Sequence, residues 1–294
     1  MPILTDDNAA LAAALAGATI ATTTTLQRNN HRKNYTGTWI EASWQKFLEG
    51  VGKSVSLASL GIVNSMISSN ATTALGVALN ANSTLIKLDL GNCGIRSVGC
   101  VGLSNSLGAN SSLIKISLAK NQIGNEGATA IGILLKTNST LVRLDLWDCQ
   151  IGSSGCVGLS HGLGANSSLN EIRLAYNMIE DEGATAMGTA LKTNSTLATL
   201  DLGYCQIGSS GCVELSRCLS ANSSLTKIRL AYNMIGDEGA TAMGTVLKTK
   251  STLSMLDLEC CGIRGNGCAA LCNILPEAAL AVMLSELSLS HNTI

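Results

Sequence analysis

The chain has 294 residues, of which 46% are hydrophobic but only 3% are aromatic, and its formal net charge is −1. This balance excludes an overall electrostatic field that would attract nucleic acid or an acidic membrane surface. Many small aliphatic side chains and few rings suit a stack of thin layers better than one globular core.

The first 54 residues lie outside the regular pattern that follows. DDNAALAAALAGA predicts a helix, TTTT predicts extended chain, and WIEASWQKFLEG predicts a second helix with Trp39, Trp44 and Phe47 on one side. We therefore predict that residues 1–54 form a helical capping region, which hides the hydrophobic face of the first layer. A helix that docks on another protein is the alternative.

From Leu57 onward the chain repeats every 28 residues, with LxxLxLxxC alternating with LxxIxLxxN. The clearest unit is residues 141–194, which returns 56 residues later. A fixed period in this range indicates a solenoid. We expect residues 55–294 to hold eight repeats and a partial ninth, with a truncated C-terminus or a last edge that a partner covers.

Each repeat predicts a strand followed by a helix. In LVRLDLWDC, Leu144 and Leu146 point inward by the two-residue alternation of a strand. Cys156, Leu159 and Leu163 then follow at helical spacing. Strands stack about 4.8 Å apart and packed helices roughly 8–10 Å apart. The stack must therefore curve, with the strands on its concave side.

Asparagine and cysteine alternate in the turn after each strand. Asn121, Asn177 and Asn233 are predicted to hydrogen-bond the backbone of neighbouring turns, and Cys149 and its equivalents to pack there as weak S–H donors. In other turns, Asp181 and Asp237 are predicted to cap the helices that begin beside them.

This repeat resembles the ribonuclease-inhibitor type of leucine-rich repeat, which also occurs in the sensor regions of NOD-like receptors and in Ran GTPase-activating proteins. The resemblance covers about residues 55–294. It implies an α/β fold: a right-handed curved solenoid, or horseshoe, with a parallel sheet on the concave face and helices on the convex face. It implies little about function, because one fold serves many functions.

Eleven cysteines and eight N-x-S/T sequons point to different compartments. Buried free thiols in a reducing compartment account for the cysteines, which all fall in the Cys-type repeats. Six sequons recur at 28-residue spacing, at Asn82, Asn110, Asn138, Asn166, Asn194 and Asn222. That spacing favours a structural cause, in which asparagine ends each helix in a left-handed cap. The N-terminus resembles neither a secretory signal nor a membrane span, so we predict a cytoplasmic protein without a membrane partner.

Charged residues alternate in sign at the central outward position of successive strands. The series is Asp145, Arg173, Asp201, Arg229 and Asp257. One interpretation is a self-satisfied ladder that keeps an open sheet soluble and aligned. The other is a recognition stripe for a partner of complementary charge.

The aromatic residues of the repeats all fall just after a strand. They are Trp147, Tyr176, Tyr204 and Tyr232. Tyrosine and tryptophan in a row on an open face are typical anchors of protein interfaces. Alternatively, the rings stack on one another and stiffen the rim.

A short basic row, Lys87, Lys115 and Arg143, precedes these residues and is joined by Lys120. Because Asp89 lies beside it, a solvated mixed-charge face is favoured over a groove for nucleic acid.

Nothing in the sequence assembles a catalytic or metal site. His31, His161 and His291 do not converge, and the chain has no phosphate-binding GxxxxGK[ST] motif. The thiols of Cys260, Cys261, Cys268 and Cys272 lack the paired spacing of a zinc site and are predicted to be buried solenoid cysteines. We predict no enzymatic activity and no cofactor.

The prediction is therefore a non-catalytic scaffold that binds a protein partner on its concave face. The aromatic residues are its predicted anchors, and the Asp/Arg series sets the register. The resemblance implies two alternatives, a small-GTPase regulator like Ran GTPase-activating proteins and a ligand-sensing module of an immune-type receptor. A spacer without a specific ligand is a further one. The sequence does not predict the oligomeric state.

Overall fold

Strands and helices alternate along the chain, and the strands assemble into one parallel sheet. The computed structural model of the protein describes residues 23–27, 41–249, 252–272 and 284–293. Within these residues the strands are β1 (Thr23–Gln27), β2 (Ser59–Val63), β3 (Lys87–Asp89), β4 (Lys115–Ser117), β5 (Arg143–Asp145), β6 (Glu171–Arg173), β7 (Thr199–Asp201), β8 (Lys227–Arg229), β9 (Met255–Asp257) and β10 (Glu286–Ser288). They lie in the sheet in chain order, each pairing with the next. The predicted solenoid with a parallel sheet is therefore confirmed.

Helices connect successive strands. They are α1 (Glu41–Lys53), α2 (Ser69–Ala81), α3 (Ser97–Leu107), α4 (Gly124–Thr137), α5 (Ser153–Ala165), α6 (Glu180–Thr193), α7 (Ser209–Leu219), α8 (Gly236–Thr249) and α9 (Gly265–Cys272). Each helix packs against the next one along the chain. Because helices need more width than strands, they lie on the outer side of a curved solenoid. The opposite face of the sheet stays open.

The N-terminal region contributes a strand as well as a helix. The threonine-rich segment predicted to be extended is strand β1, which pairs in parallel with β2. In α1, the rings of Trp44 and Phe47 stack with centroids 5.1 Å apart, and both residues are buried. The first predicted helix and Trp39 lie outside the described residues.

The core is a column of aliphatic layers. Leu144 and Leu146, which the alternation predicts to point inward, are buried. Cys156, Leu159 and Leu163 on α5 are also buried and face the same layer. Strand alternation and helical spacing thus bury complementary faces, as the sequence predicts.

The turn asparagines join neighbouring layers. Asn177 Oδ1 accepts from the amides of Cys149 (3.0 Å) and Ile151 (2.9 Å). Its Nδ2 donates to the carbonyls of Leu146 (2.9 Å) and Leu174 (2.7 Å). The side chain therefore satisfies four buried backbone groups on two turns, as predicted.

The cysteines at the equivalent position of alternate turns act as weak donors. Cys149 Sγ donates to the carbonyl of Leu118 at 3.2 Å, and Cys205 Sγ donates to that of Leu174 at 3.3 Å. A thiol is a weaker substitute for the asparagine amide, because it has one donor hydrogen and a sulfur that accepts only weakly. The two repeat types are therefore not interchangeable.

The sequon asparagines end their helices, but the predicted left-handed cap is wrong. Asn138 has φ −83° and ψ 129°, which is extended backbone. Its Nδ2 donates to the carbonyls of Leu107 (3.2 Å) and Asn110 (2.9 Å), and its Oδ1 accepts from the amides of Thr140 (3.0 Å) and Leu141 (2.9 Å). The side chain thus bonds the end of the preceding helix α3, and the backbone amide of Asn138 donates to Leu134 at the end of its own helix. The same extended conformation occurs at Asn82, Asn166 and Asn194.

This bonding explains the sequons structurally. Nδ2 is the atom that N-linked glycosylation would modify. In the six periodic sequons that asparagine is buried, with no more than 6% of its surface exposed. A folded repeat has no room for a sugar there.

Asp181 and Asp237 lie in the first turn of their helices, where their charge is favourable as predicted, but the prediction that they cap these helices is wrong. Helix α6 is preceded by Ile179, which makes no side-chain capping bond. Asp181 Oδ1 instead accepts from the amide of Gly208 at 2.6 Å, at the start of α7. Asp237 Oδ1 accepts from the amide of Arg264 at 2.7 Å, just before α9. Each carboxylate reaches across to the next turn, a contact that a one-dimensional pattern does not reveal.

Candidate functional site

The predicted site residues lie together at one end of the sheet. The charged residues occupy the last position of strands β5–β9, and the aromatic residues lie two or three positions further along the chain. Because parallel strands all end at the same sheet edge, the two series form adjacent rows.

The three tyrosines occupy a backbone conformation that bulky residues rarely adopt. Tyr176, Tyr204 and Tyr232 have φ of 61°, 54° and 58°. The same turn position is left-handed in other repeats, at Asn64, Asn92, Lys120, Asp148, Cys260 and His291. Asparagine and aspartate tolerate this conformation, whereas a ring there is strained. The fold thus requires the conformation but does not require tyrosine.

The rings form a continuous stack, which we call the aromatic ladder (Trp147, Tyr176, Tyr204 and Tyr232). Tyr176 and Tyr204 stack with centroids 4.2 Å apart, and Tyr204 and Tyr232 stack at 4.1 Å. Trp147 meets Tyr176 edge to face at 5.2 Å, because it lies one position earlier in its turn. The tyrosines remain 37–46% exposed. The faces of Tyr176, Tyr204 and Tyr232 therefore cover one another, and their edges and hydroxyl groups meet solvent.

The hydroxyl group at the C-terminal end of the ladder meets a carboxylate. Tyr232 Oη donates to Glu259 Oε1 at 2.9 Å, and this bond raises the pKa of the Tyr232 phenol above its usual range. A side-chain hydrogen bond to Tyr204 raises the pKa of Tyr176. Burial raises the pKa of Tyr204, and a bond to Tyr232 raises it further. All three phenols of the ladder thus favour their protonated form.

Sequence reasoning missed the residues at both ends of the ladder. Lys120 Nζ lies 4.7 Å from the ring centroid of Trp147 in a cation–π contact. At the other end, His291 Nε2 lies 3.9 Å from Glu259 Oε1. Lys120 and His291 occupy the tyrosine position of their own turns, so the repeat alignment already pairs them with the aromatic ladder.

The Asp/Arg series lies in direct register. Asp145 faces Arg173, Arg173 faces Asp201, Asp201 faces Arg229, and Arg229 faces Asp257 across adjacent strands. Ion pairing is strongest at its first members. Arg173 Nη1 lies 3.8 Å from Asp145 Oδ2, and Arg173 Nε lies 3.1 Å from Glu171 Oε1. Arg143 Nε lies 3.3 Å from Glu171 Oε2. Glu171, which was not predicted, is therefore central to this network.

The aspartates of the series also close the turn after the strand. Asp145 Oδ1 accepts from the amide of Trp147, and Asp201 Oδ1 from that of Gly203, both at 3.1 Å. Burial nevertheless raises the pKa of both carboxyls above the usual range for aspartate, against the opposing effect of these amides and of Arg173. Part of each carboxylate is thus committed to the fold, and the rest faces the arginines.

The thiols beneath the site are buried. Burial raises the pKa of the Cys93 thiol to about 11 and that of Cys149 to about 12, so both stay protonated at neutral pH. In the described part of the chain, no three His, Cys, Asp or Glu side chains gather where they could hold a metal ion. His161 lies on α5 and His291 at the end of the ladder, and His31 is outside the described residues.

The described helices are all too short or too polar to cross a bilayer. The solved structures that resemble the chain include the following two. One, described as leiomodin-1 actin-binding site 2, aligns with a TM-score of 0.44 and 20% identity over 51% of this chain and 86% of that chain. The other, a complex of TLR13 with ssRNA13, aligns with a TM-score of 0.49 and 15% identity over 85% of this chain and 31% of that chain. No curated protein matches the chain in sequence.

A sequence model described as a leucine-rich repeat matches the chain repeatedly. The matches are residues 81–104, 109–132, 137–160, 165–188, 193–216, 221–244 and 249–272. Together they span more than half of the chain, and each includes one strand and its following turn. The chain therefore belongs to the leucine-rich repeat family, and its repeats are of the ribonuclease-inhibitor type.

Proposed function

We propose that this protein is a non-catalytic scaffold that binds a protein partner on the open face of its sheet, with the aromatic ladder as the main contact. The observation that carries the proposal is the presence of exposed tyrosines at left-handed positions in three successive turns. Asparagine fills the same position in two earlier turns. Strain that the fold does not require is typical of a functional site.

The stacking geometry restricts how a partner makes contact. The faces of Tyr204 are covered on both sides, so a nucleobase or sugar cannot stack on them. Ring edges carry partial positive charge, and the hydroxyl groups can donate or accept. The ladder therefore suits carbonyl and carboxylate groups of a protein better than a planar ring. We accordingly propose a protein partner and no nucleic acid.

The Asp/Arg series lies beside the aromatic ladder and would determine in which orientation a partner binds along it. Alternating charges on successive strands match only a partner whose own charges have the same order. We propose that Asp145, Arg173, Asp201, Arg229 and Asp257 set the register of the partner along the solenoid.

We also propose a cytoplasmic location. The cysteines of the described chain are free, and most are buried. Free thiols at structural positions such as Cys149 and Cys205 suit a reducing compartment.

The test compares capture of cellular proteins by three forms of the full chain. These are the wild type, the triple variant Tyr176→Asn/Tyr204→Asn/Tyr232→Asn, and a control, His161→Ala/Arg217→Ala, on the exposed helical side. Asparagine is chosen because the same turn position holds Asn64 and Asn92. Quantitative mass spectrometry of captured proteins is the readout.

We expect at least one cellular protein to be captured by the wild type and by the control but not by the triple variant. Equal capture by all three forms would refute the ladder as the contact. Loss in the control alone would move the contact to the helical side.

A further inference from the structure

We propose that strands β3–β5 carry a second binding surface, which accepts an acidic amphipathic helix of a partner protein. This surface, the basic–aliphatic row, consists of Lys87, Lys115 and Arg143 together with Ile86, Ile114 and Val142. It precedes the aromatic ladder along the solenoid and lies at the opposite end of the strands. It meets the Asp/Arg series at strand β5, where Arg143 and Arg173 both pair with Glu171, but it contains no residue of the aromatic ladder.

The three cations lie directly beside one another. Lys87 faces Lys115, and Lys115 faces Arg143, across adjacent strands. Like charges in this arrangement are destabilising. Arg143 is compensated by Glu171 at 3.3 Å. No ion pair joins Lys87 or Lys115 to a carboxylate anywhere in the described chain.

The nearest aspartates on these strands are partly committed elsewhere. Asp89 Oδ1 accepts from the amide of Gly91, and Asp145 Oδ1 from that of Trp147, both at 3.1 Å. Asp145 also lies 3.8 Å from Arg173. The two lysines thus keep an excess of positive charge, which an anionic partner would neutralise.

The backbone turns an aliphatic side chain outward next to each cation. The amides of Ile86 and Lys87 both donate to the Ala58 carbonyl, at 2.8 and 3.1 Å. Those of Ile114 and Lys115 both donate to the Ile86 carbonyl, at 2.8 and 3.0 Å. Two consecutive amides that share one carbonyl on the neighbouring strand form an arrangement similar to a β-bulge, and a bulge changes the direction in which a side chain points. Ile86 is 45% exposed and Ile114 is 36% exposed.

Later turns keep this backbone arrangement but do not keep the adjacent aliphatic and basic side chains. At the isoleucine position they carry Asn170, Ala198, Thr226 and Ser254. Lys227 occupies the lysine position of β8, but its neighbours across the sheet are Thr199 and Met255. Adjacent rows of cations and aliphatic groups therefore occur together on β3–β5 and not on β6–β9. The fold does not require them, so they suit recognition.

The spacing of the row selects a helix over an extended peptide. Neighbouring strands are about 4.8 Å apart, so each row places one side chain every 4.8 Å or so along the solenoid axis. An extended peptide places side chains on one face only about every 6.7 Å. A helix presents one face every turn, about 5.4 Å. A helix along the axis can therefore set carboxylates on the cations and apolar side chains on the isoleucines.

The test uses a synthetic helical peptide of about four turns as the probe. It carries a glutamate stripe beside a leucine stripe and a fluorophore at one end. A second peptide has the same composition, but its glutamates and leucines alternate with the period of a strand. Binding of each peptide to the full chain is measured by fluorescence anisotropy at low and high salt.

The striped peptide should bind, and added salt should weaken it. Lys87→Glu/Lys115→Glu should raise the Kd at least about tenfold, and Ile86→Ser/Ile114→Ser should also weaken binding. Lys227→Glu, at an isolated lysine of the same row, should bind like the wild type. Circular dichroism of each variant checks that it is folded. Should the charge reversals not fold, the isoleucine variant alone tests the proposal.

Three results would overturn the proposal. The first is no binding of the striped peptide, and the second is equal binding of the alternating peptide. The third is that the chain binds anionic phosphatidylserine vesicles or single-stranded RNA through Lys87 and Lys115 but does not bind the striped peptide. The triple tyrosine variant should bind the striped peptide normally, so failure here is distinguishable from failure of the aromatic ladder.

Discussion

Tyr204 and Tyr232 stack with ring centroids 4.1 Å apart and planes inclined by only 10°, although they are one whole repeat apart in sequence. The strand spacing of the solenoid is about 4.8 Å, so rings at the same position of adjacent turns fall naturally into contact. Repetition thus converts a single tyrosine per turn into an extended surface. The surface is formed at the expense of backbone strain, because each tyrosine is held in the left-handed conformation.

Replacing one ring should separate the backbone strain from the stacking. We expect Tyr204→Asn to be more stable than Tyr204→Ala by about 1 kcal/mol, because alanine pays the penalty for the left-handed conformation and asparagine largely avoids it. Both variants lose the same ring contacts. Urea unfolding of the two proteins measures the difference.

An exposed helical position provides the control for this comparison. At Ile133 on α4, which is 60% exposed, alanine should be the more stable replacement because it is the better helix former. The order of asparagine and alanine should therefore reverse between the two sites. The same order at both sites would show that backbone strain at Tyr204 is not energetically important.

Glu259 should control the ionisation of the ladder. Glu259→Gln removes the charge that accepts from Tyr232, and the bond to that carboxylate is the main reason the pKa of this phenol is raised. The variant should ionise its tyrosines at lower pH, closer to the usual value of about 10. Ultraviolet absorbance of phenolate, followed against pH, measures the shift.

The raised pKa values of the phenols also determine how they affect stability as the pH changes. A raised pKa in the folded state means that this contribution is present below the usual tyrosine pKa and is lost as the pH rises through the folded value. Glu182→Gln, at an exposed residue in the first turn of α6, is the control and should leave the titration unchanged. An unchanged titration in Glu259→Gln would show that the Glu259 carboxylate does not control the pKa of the Tyr232 phenol.

Asn177 should be among the residues on which stability depends most. Asn177→Ala leaves the amides of Cys149 and Ile151 and the carbonyl of Leu146 without their partner. Each buried unsatisfied group costs about 1–3 kcal/mol, so we expect a loss of at least about 3 kcal/mol in the free energy of unfolding. Equilibrium urea unfolding is the measurement.

The matched control is Asn170→Ala, at an exposed asparagine whose side chain makes one long bond, to the Thr196 carbonyl at 3.3 Å. Its effect should stay within about 0.5 kcal/mol. Similar losses in the two variants would mean that the turn relaxes or admits water where Asn177 was.

The repeat itself was predictable because periodicity fixes most of the geometry. Once Tyr176, Tyr204 and Tyr232 share a position, parallel strands place them side by side, and the in-register Asp/Arg series follows from the same logic. Stacking of the rings was one of two interpretations, and the structure shows it. Their role as anchors remains a prediction.

Contacts between turns were harder to predict. Asp181 bonds the amide of Gly208 on the next turn rather than its own helix. The side chain of Asn138 bonds Leu107 at the end of the preceding helix, and its backbone is extended rather than left-handed. In both cases the deciding partner is one repeat away, and its distance depends on how closely the turns stack. Glu259 was missed for the same reason, because only the stack brings Tyr232 within reach of its carboxylate.

Asp201→Asn distinguishes the two interpretations of the Asp/Arg series. Burial, the largest influence, raises the pKa of the Asp201 carboxyl, although Arg229 and Arg173 oppose it. Folding is therefore favoured by the protonated form, and this stability is lost as the pH rises through the folded pKa. Asparagine resembles the protonated acid and can still accept from the Gly203 amide. At neutral pH the variant should need at least as much urea to unfold as the wild type.

The difference should disappear near pH 3, where the wild-type carboxyl is itself protonated in both states. Asp148→Asn, at an exposed carboxylate, is the control and should change the urea midpoint less. A variant less stable than the wild type at neutral pH would mean that pairing with the arginines outweighs burial, as a self-satisfied ladder requires. A variant of equal or greater stability means that the charge of Asp201 does not serve the fold, which favours recognition as its role.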